Sequence, residues 1–424
     1  MSNREVVARS LAAIWHPCTQ MKAHERFPLL PIARGEGAWL IDFEGRRYLD
    51  GVSSWWVNLF GHSNFEINTA LLDQMGKLEH VMLAGFTHEP AVALAEQLSA
   101  LAPGRLGHAF FASDGASAAE IALKMAFHYW ANRGRPGKKR FVALAGGYHG
   151  ETIGALSVTD VAIFRDAYGP LLRENILVPF PGDAGAIEAL EKVLAEHSGE
   201  IAALIVEPLV QGASGMRMYP SAYLKRAREL CTKREVLLIA DEIMTGFGRT
   251  GSMFACEQAG IAPDLLCLSK GITGGYLPLS CVLSSDEVYA AFYDDDVTRG
   301  FLHSHSYTGN ALACRAALAV LDIFKRDHVI DANRERAARL SEAAHDALAK
   351  HRNVRNLRNL GMIWAFEVES ADPQFARKAF ELALRRGVLL RPIGKTVYFM
   401  PPYIVSEAEF DLLVDAGVAI ADAA

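Results

Sequence analysis

The sequence predicts an α/β protein, with a mostly parallel seven-stranded sheet in a large unit and a smaller α+β unit after it. Three observations carry that expectation. Seven short apolar runs recur between residues 108 and 285. Several of them are continuously apolar rather than alternating, as strands covered on both faces are. Helical patterns stand between the runs, and strand and helix alternating over such a length signals a parallel α/β sheet. The chain has 424 residues, and single cores stop growing at roughly 250 to 300, so two units are expected.

The first segment, 1–59, carries Pro17, Pro28 and Pro31 and short strand patterns around GAWLIDFEGRRYLD. It is too thin to fold alone and is expected to pack on the C-terminal unit. The large unit, 60–310, holds the seven runs: HAFFAS from 108, RFVALAG from 140, ILVPF from 176, IAALIVEP from 201, VLLIADEI from 236, LLCLSK from 265 and LSCVLSS from 279. Helical periodicity fills residues 116–134, 186–197 and 221–234. The last two runs are separated only by a glycine-rich turn, which leaves room for one of them to run antiparallel. The smaller unit, 311–424, is expected to hold a long helix over about 311–351 and a strand around GMIWAFEVES. A helix near PQFARKAFELALRR, strands in VLLRPIG and TVYFMPPY, and a final helix complete it.

Composition is that of an ordinary globular protein, 51% hydrophobic and 22% charged. The net charge of −6 and pI near 6.2 give no basic footprint for nucleic acid or an anionic membrane. No uncharged apolar run approaches the ~20 residues of a membrane span, and the N-terminus has no apolar secretion core, so the cytoplasm is expected. Six cysteines, Cys18, Cys231, Cys256, Cys267, Cys281 and Cys314, form no CxxC pair and no zinc spacing. They are read as reduced thiols, with no metal site.

The chemistry concentrates in VLLIADEIMTGFGRTG (236–251) and CLSKGITGG (267–275). Each reads as a buried strand followed by a glycine-rich turn, one strand ending in Asp241 and the other in Lys270. An acid and an amine at such strand ends stand where α/β sheets bind ligands. Pyridoxal phosphate chemistry requires that pair: the amine condenses with the cofactor aldehyde, and the acid keeps the pyridine nitrogen protonated. Read singly, Lys270 would be a solvated surface lysine and Asp241 a turn cap.

Four further motifs have weaker signals. SDGASAAE (113–120) opens a helix, so the amides of Gly115, Ala116 and Ser117 make a phosphate seat, or merely a capped turn. GGYHGET (146–152) puts Tyr148 and His149 in a glycine-flanked loop, where an aromatic face can stack on a ring. HSHSYTGN (303–310), with Ser304, His305 and Ser306, is too polar for core and lacks a third metal ligand, so anion binding is the better reading. Arg391 ends an apolar strand and offers a guanidinium fork for a carboxylate. Trp55 and Trp56 in DGVSSWWVNLFGH are core or the wall of an apolar pocket.

Together, DEIMTGFGRTG, the strand-end Lys270, GYHG and EPLVQG (207–212) resemble the class III aminotransferases of the pyridoxal phosphate fold-type I superfamily, over nearly the whole chain. The resemblance implies that fold, pyridoxal 5'-phosphate as cofactor, and amino transfer between a donor and a keto acid. Within the class, IWHP, DGVSSWW, GMRMY, FACE, IAPD and RPIGKTVYFMPPY resemble members that aminate 7-keto-8-aminopelargonate in biotin biosynthesis, with S-adenosylmethionine as the expected donor. An ω-amino acid or diamine:pyruvate transaminase, and then an aminomutase, are the alternatives.

Carried over by that resemblance, Lys270 would hold the cofactor and move the substrate proton, Asp241 would face the pyridine nitrogen, and Tyr148 would stack on the ring. Gly115 and Ala116 would bind the phosphate. In a homodimer with shared sites, Ser306, with His305 beside it, would reach the partner's phosphate. Trp55, Trp56, Ser304 and Arg391 would contact substrate, with Arg391 on the carboxylate. Cys18 stands in the substrate region where the family usually has a tyrosine that stacks on the adenine of S-adenosylmethionine, and Glu151 replaces an aspartate after GYHG.

Overall fold

The computed structural model describes residues 1–27 and 29–424. Pro28 of the N-terminal proline set lies outside the described residues. All seven apolar runs enter one sheet, in the spatial order His108–Ala112, Ser280–Ser284, Leu265–Leu268, Leu237–Asp241, Ile201–Val206, Arg140–Leu144, Ile176–Val178. Pairing is parallel from Leu265–Leu268 to Ile176–Val178. Ser280–Ser284 runs antiparallel to both of its neighbours. The reason lies in the connection: a 3-10 turn over Lys270–Thr273 and a short loop separate it from the preceding strand, and a parallel return needs a crossover of a dozen or more residues.

The central strands are buried along their whole length, which is why they read as unbroken apolar runs. The Gly115–Asn132 helix packs on one face, with Ile121, Ala122, Met125, Ala126 and Tyr129 buried against the sheet. Asp114 caps it, its carboxylate accepting from the Ser117 amide at 2.9 Å. This register brings Asp241 opposite Cys267, three positions before Lys270, so acid and amine leave adjacent strands at the same end.

Two expectations for the C-terminal third need correction. The long helix is two helices, Ala311–Arg326 and Val329–Leu348, with a break at Asp327–His328 where His328 turns left-handed at φ 45°. The first is buried on nearly every side, among them at Leu318, Val320, Leu321 and Phe324. The second is amphipathic and buries only a stripe, Val329, Asn333, Ala337, Leu340, Ala344 and Leu348. The two therefore need different axes, and the charged run KRDH sits at the change of direction. A strand at Val354–Leu360, unread because NVRNLRNL is polar and mostly uncovered, heads a three-stranded antiparallel sheet with Ile363–Val368 and Thr396–Phe399.

Val388–Leu389 does not join that sheet. It pairs in parallel with Arg47–Asp50, with Val388 opposite Leu49 and Leu389 opposite Asp50, at the edge of a four-stranded sheet built from Ile32–Glu36, Trp39–Asp42 and Arg47–Asp50. One buried apolar cluster runs from Ala38 to Ala421. Among the described residues no helix is long and apolar enough to cross a membrane and no metal-ligating cluster occurs; all six cysteines are free thiols.

Candidate active site

A cavity of about 340 Å³ opens at the carboxyl ends of the sheet, with Lys270, Asp241, Glu207, Tyr148, Gly115 and Trp56 among its walls. Asp241 is only 4% exposed. Its Oδ2 shares a 2.7 Å hydrogen bond with Nδ1 of the buried His149, and its Oδ1 accepts from the Ile243 amide at 3.1 Å. Glu207 ends the neighbouring strand, and its two oxygens accept from the amides of Tyr148 (2.9 Å) and Gly212 (3.0 Å). Burial pushes the Glu207 carboxyl up to about 7, against the pull of His149.

Lys270 opens the 3-10 turn with a left-handed backbone, φ 46°. Burial pushes its ammonium down from the ordinary lysine range, and the charges of Asp241 and Glu207 oppose that shift. A lysine amine so desolvated is closer to its nucleophilic, neutral form. Its Nζ lies 4.9 Å from the Trp56 ring centroid. Tyr148 donates its phenol to Glu151 Oε1 at 2.9 Å. Burial first, then Glu151, raises the phenol's pKa; Cys18 is exposed and is not among the walls of the cavity.

The Gly115–Asn132 helix aims its N-terminus at this cavity. Its first amides have no intrahelical acceptor and carry the positive end of the dipole. A Cβ on Gly115 would meet Ile243 Cγ2 at 2.9 Å, and one on Gly150, φ 118°, would meet Ala116 Cβ at 2.5 Å. Gly115 thus lets the helix start close on the turn after Asp241, and Gly150 lets the Tyr148 loop close on the helix start. A second opening, about 360 Å³, shares Gly115 and Lys270 and continues past Thr273 to Tyr276.

The tryptophan pair sits on an unusual piece of backbone. Ser53, Ser54, Trp55 and Trp56 have φ of 49°, 46°, 73° and 75°, and Trp56 and Val57 donate to the carbonyls of Val52 and Ser53 at 2.8 and 2.9 Å. This is a turn of left-handed α-helix made without glycine. Left-handed backbone costs about 1–2 kcal/mol per L-residue, or roughly 4–8 kcal/mol for the four. The buried Asp50 accepts from the Ser54 amide (2.9 Å), the Ser54 hydroxyl (2.7 Å) and His62 Nε2 (3.0 Å). Ser53 donates its hydroxyl to the Met400 carbonyl at 2.7 Å. The turn aims Trp56 into the cavity, where its Nε1 donates to Tyr398 at 2.9 Å. It sets Trp55 against Arg391, whose guanidinium carbon is 4.2 Å from the ring centroid.

The structure thus brings Lys270, Asp241, Tyr148, Gly115, Ala116 and Trp56 to one cavity, with Trp55 and Arg391 stacked beside it. Ser304, His305 and Ser306 are outside the walls of that cavity. Their loop lies against His80, which bonds the Ser306 carbonyl at 2.8 Å, and His305 faces His303 at 3.1 Å between their Nε2 atoms. Sequence reading assigned no role to Glu207 or His149. Glu207 carried a usable signal, an acid closing a continuous apolar strand like Asp241.

The family model for aminotransferase class-III matches residues 20–420. The chain belongs to the class-III aminotransferases. It is 46% identical to the adenosylmethionine-8-amino-7-oxononanoate aminotransferase of Helicobacter pylori, over 98% of each chain. Among solved structures it resembles the adenosylmethionine-8-amino-7-oxononanoate aminotransferase of Methanocaldococcus jannaschii, with TM-score 0.96, 36% identity and 99% of each chain covered. It also resembles an amine transaminase of an uncultivated Pseudomonas species in its PLP-bound form, with TM-score 0.90 and 35% identity over 97% of this chain and 98% of the other.

A class-III aminotransferase works with pyridoxal phosphate, and the residues of this cavity fit that cofactor. A desolvated amine faces a buried carboxylate across the site. A helix N-terminus cleared by Gly115 and Gly150 offers amides to a phosphate. A volume near 340 Å³ is of the size such ligands occupy.

Proposed function

We propose that this class-III aminotransferase moves an amino group to 8-amino-7-oxononanoate, the 7-keto-8-aminopelargonate of biotin biosynthesis, with S-adenosylmethionine as donor. The observation that carries the reading is the full-length likeness to the Helicobacter pylori enzyme of that name. When bound, pyridoxal phosphate supplies an aldehyde and an electron-accepting ring. Asp241, oriented by His149 and the Ile243 amide, presents its carboxylate to the ring nitrogen. The Lys270 amine would hold the cofactor at rest and, once freed by the incoming amine, would serve as the base that takes the substrate proton and the acid that returns it. Tyr148 would cover a ring face, and the Gly115 and Ala116 amides would hold the phosphate.

For the acid substrate, Arg391 supplies a bidentate fork and Trp55 and Trp56 exclude water from the apolar chain. The loop bearing Ser304, His305 and Ser306 serves the partner's site in a homodimer, a role supported by the exposure of Leu302 and Tyr307 on it. In this reading the chain divides as 1–59, 60–310 and 311–424, and the enzyme works in the cytoplasm.

The test is the visible spectrum of the purified holoenzyme, recorded with S-adenosylmethionine, lysine or alanine and then with the keto acid. The cofactor band should be lost with S-adenosylmethionine and recover with 8-amino-7-oxononanoate. A band that answers to pyruvate and simple amines but never to this keto acid would replace the proposal with an ω-transaminase. That second reading is favoured by the amine transaminase likeness.

A further inference from the structure

We propose that Asp50, which touches neither cavity, is a positioning residue for the acid substrate. Through Ser54 and His62 it holds the left-handed Ser53–Trp56 turn that sets Trp55 on Arg391 and Trp56 over Lys270. The inference rests on the reading in which Arg391 and the tryptophans take the acceptor.

Four consecutive non-glycine residues keep positive φ only if their surroundings over-determine that conformation. Asp50 is fully buried and spends its carboxylate on the middle of the turn, accepting from both the amide and the hydroxyl of Ser54. His62 braces the second oxygen at 3.0 Å, and its other ring nitrogen lies 3.2 Å from Asn58 Nδ2. Asn58 in turn accepts from the Gly61 amide at 2.7 Å. The turn is thereby tied to the chain on both sides of it.

Its outer end is tied to the C-terminal strands. Gly51 donates to the Leu389 carbonyl and accepts from the Met400 amide, at 3.1 and 2.8 Å. A Cβ on Gly51 would meet Leu390 and Leu413 at 2.8 Å. Those contacts tie the turn to the Val388–Leu389 strand that leads into Arg391 and to the end of the Thr396–Phe399 strand that carries Tyr398. Releasing the Asp50 grip frees the turn to relax toward right-handed or extended backbone. Trp55 then leaves the guanidinium and Trp56 leaves Tyr398, while the cofactor residues on the large sheet stay in place.

The test pairs Asp50→Asn with Asp50→Asn/Ser54→Gly in the holoenzyme. Asparagine cannot accept from all three donors, so the single variant should raise the KM for 8-amino-7-oxononanoate about tenfold, with cofactor content and the donor half-reaction within about twofold of wild type. Glycine takes positive φ without strain, so the double variant should recover most of that loss, a rescue that simple damage to packing would not show. Ser54→Ala, which removes one bond only, serves if Asp50→Asn fails to fold, and should raise the same KM about threefold.

An unchanged acceptor KM in the foldable variant, or a loss that Ser54→Gly leaves untouched, overturns the positioning role. Near-UV circular dichroism of the tryptophans, compared with Trp55→Phe, reads the turn without reference to substrate. If Arg391→Ala leaves acceptor binding intact, the substrate reading fails. A dichroism change in Asp50→Asn that Ser54→Gly reverses would then still uphold the hold on the turn.

Discussion

Truncating Arg391 to alanine removes the guanidinium proposed to answer the acceptor's carboxylate. Arg391 is exposed and its guanidinium carbon lies 4.2 Å from the Trp55 ring centroid, so its donors can turn to a ligand. Hydrogen bonds to a charged group contribute about 1.5–3 kcal/mol each, and 1.4 kcal/mol is tenfold in affinity, so the equivalent of one full bond lost from the solvent-exposed fork is roughly 10- to 150-fold. Exposure admits screening water, and the stack on Trp55 exists before and after binding, so the lower part of the range applies, about 10- to 30-fold. The assay is acceptor KM in steady state, beside single-turnover reduction of the cofactor band by donor. Arg391→Ala should raise the first and leave the second within about twofold, and Arg391→Lys, which keeps charge but not the fork, should fall between. An acceptor KM within about threefold of wild type, or an equal loss in both half-reactions, would refute the reasoning.

Borohydride reduction of the holoenzyme followed by peptide mapping should find the cofactor's mass on the peptide containing Lys270, and Lys270→Ala should show none and no turnover. Cys18→Tyr supplies the aromatic ring usual in the family at this position; base stacking of about 1–3 kcal/mol should raise kcat/KM for S-adenosylmethionine by roughly fivefold to 150-fold, and no change would remove Cys18 from donor recognition. Glu207→Gln should flatten part of the stability profile. The carboxyl titrates near 7 in the folded chain against an ordinary 4.5, so its contribution is complete below pH 4.5 and is lost as pH rises toward 7. The stability of wild type relative to Glu207→Gln, from melts at pH 4.5 and 7.5, should therefore fall with rising pH; a constant difference would place the titration elsewhere.

The sheet and the Asp241–Lys270 pair were legible because both signals are local. A charged residue that terminates an unbroken apolar strand is conspicuous in any window that contains it. Glu207 carries the same mark in IAALIVEP and was readable on the same terms. His149 was not, because its partner Asp241 lies 92 positions away and nothing in GYHG records the pairing. The helix break at Asp327–His328 was hidden by periodicity that continues across it, since each helix is regular and only their axes differ. The Val354–Leu360 strand has too few covered side chains to print an alternation. The left-handed turn escaped for a different reason: serine and tryptophan are residues that ordinarily avoid such backbone, and neither the Asp50 grip on Ser54 nor the remote Met400 carbonyl that holds Ser53 is marked in the local pattern.

The parallel pairing of Leu49 with Val388 and of Asp50 with Leu389 has a consequence for the time course of synthesis. Strand Arg47–Asp50 leaves the ribosome early, yet the segment that completes its sheet is made more than three hundred residues later. At about 5–20 residues per second the wait is roughly 17–70 s. Through that interval the large sheet can assemble, since all seven of its strands precede residue 285, whereas the edge that Val388–Leu389 will occupy stays open. Nascent chains stalled before residue 388 should therefore carry a folded sheet behind an unsatisfied N-terminal edge, the kind of surface that recruits chaperones or pairs with a neighbouring chain. The corner of the site where Trp55 meets Arg391 is thus completed only after the large sheet has been made.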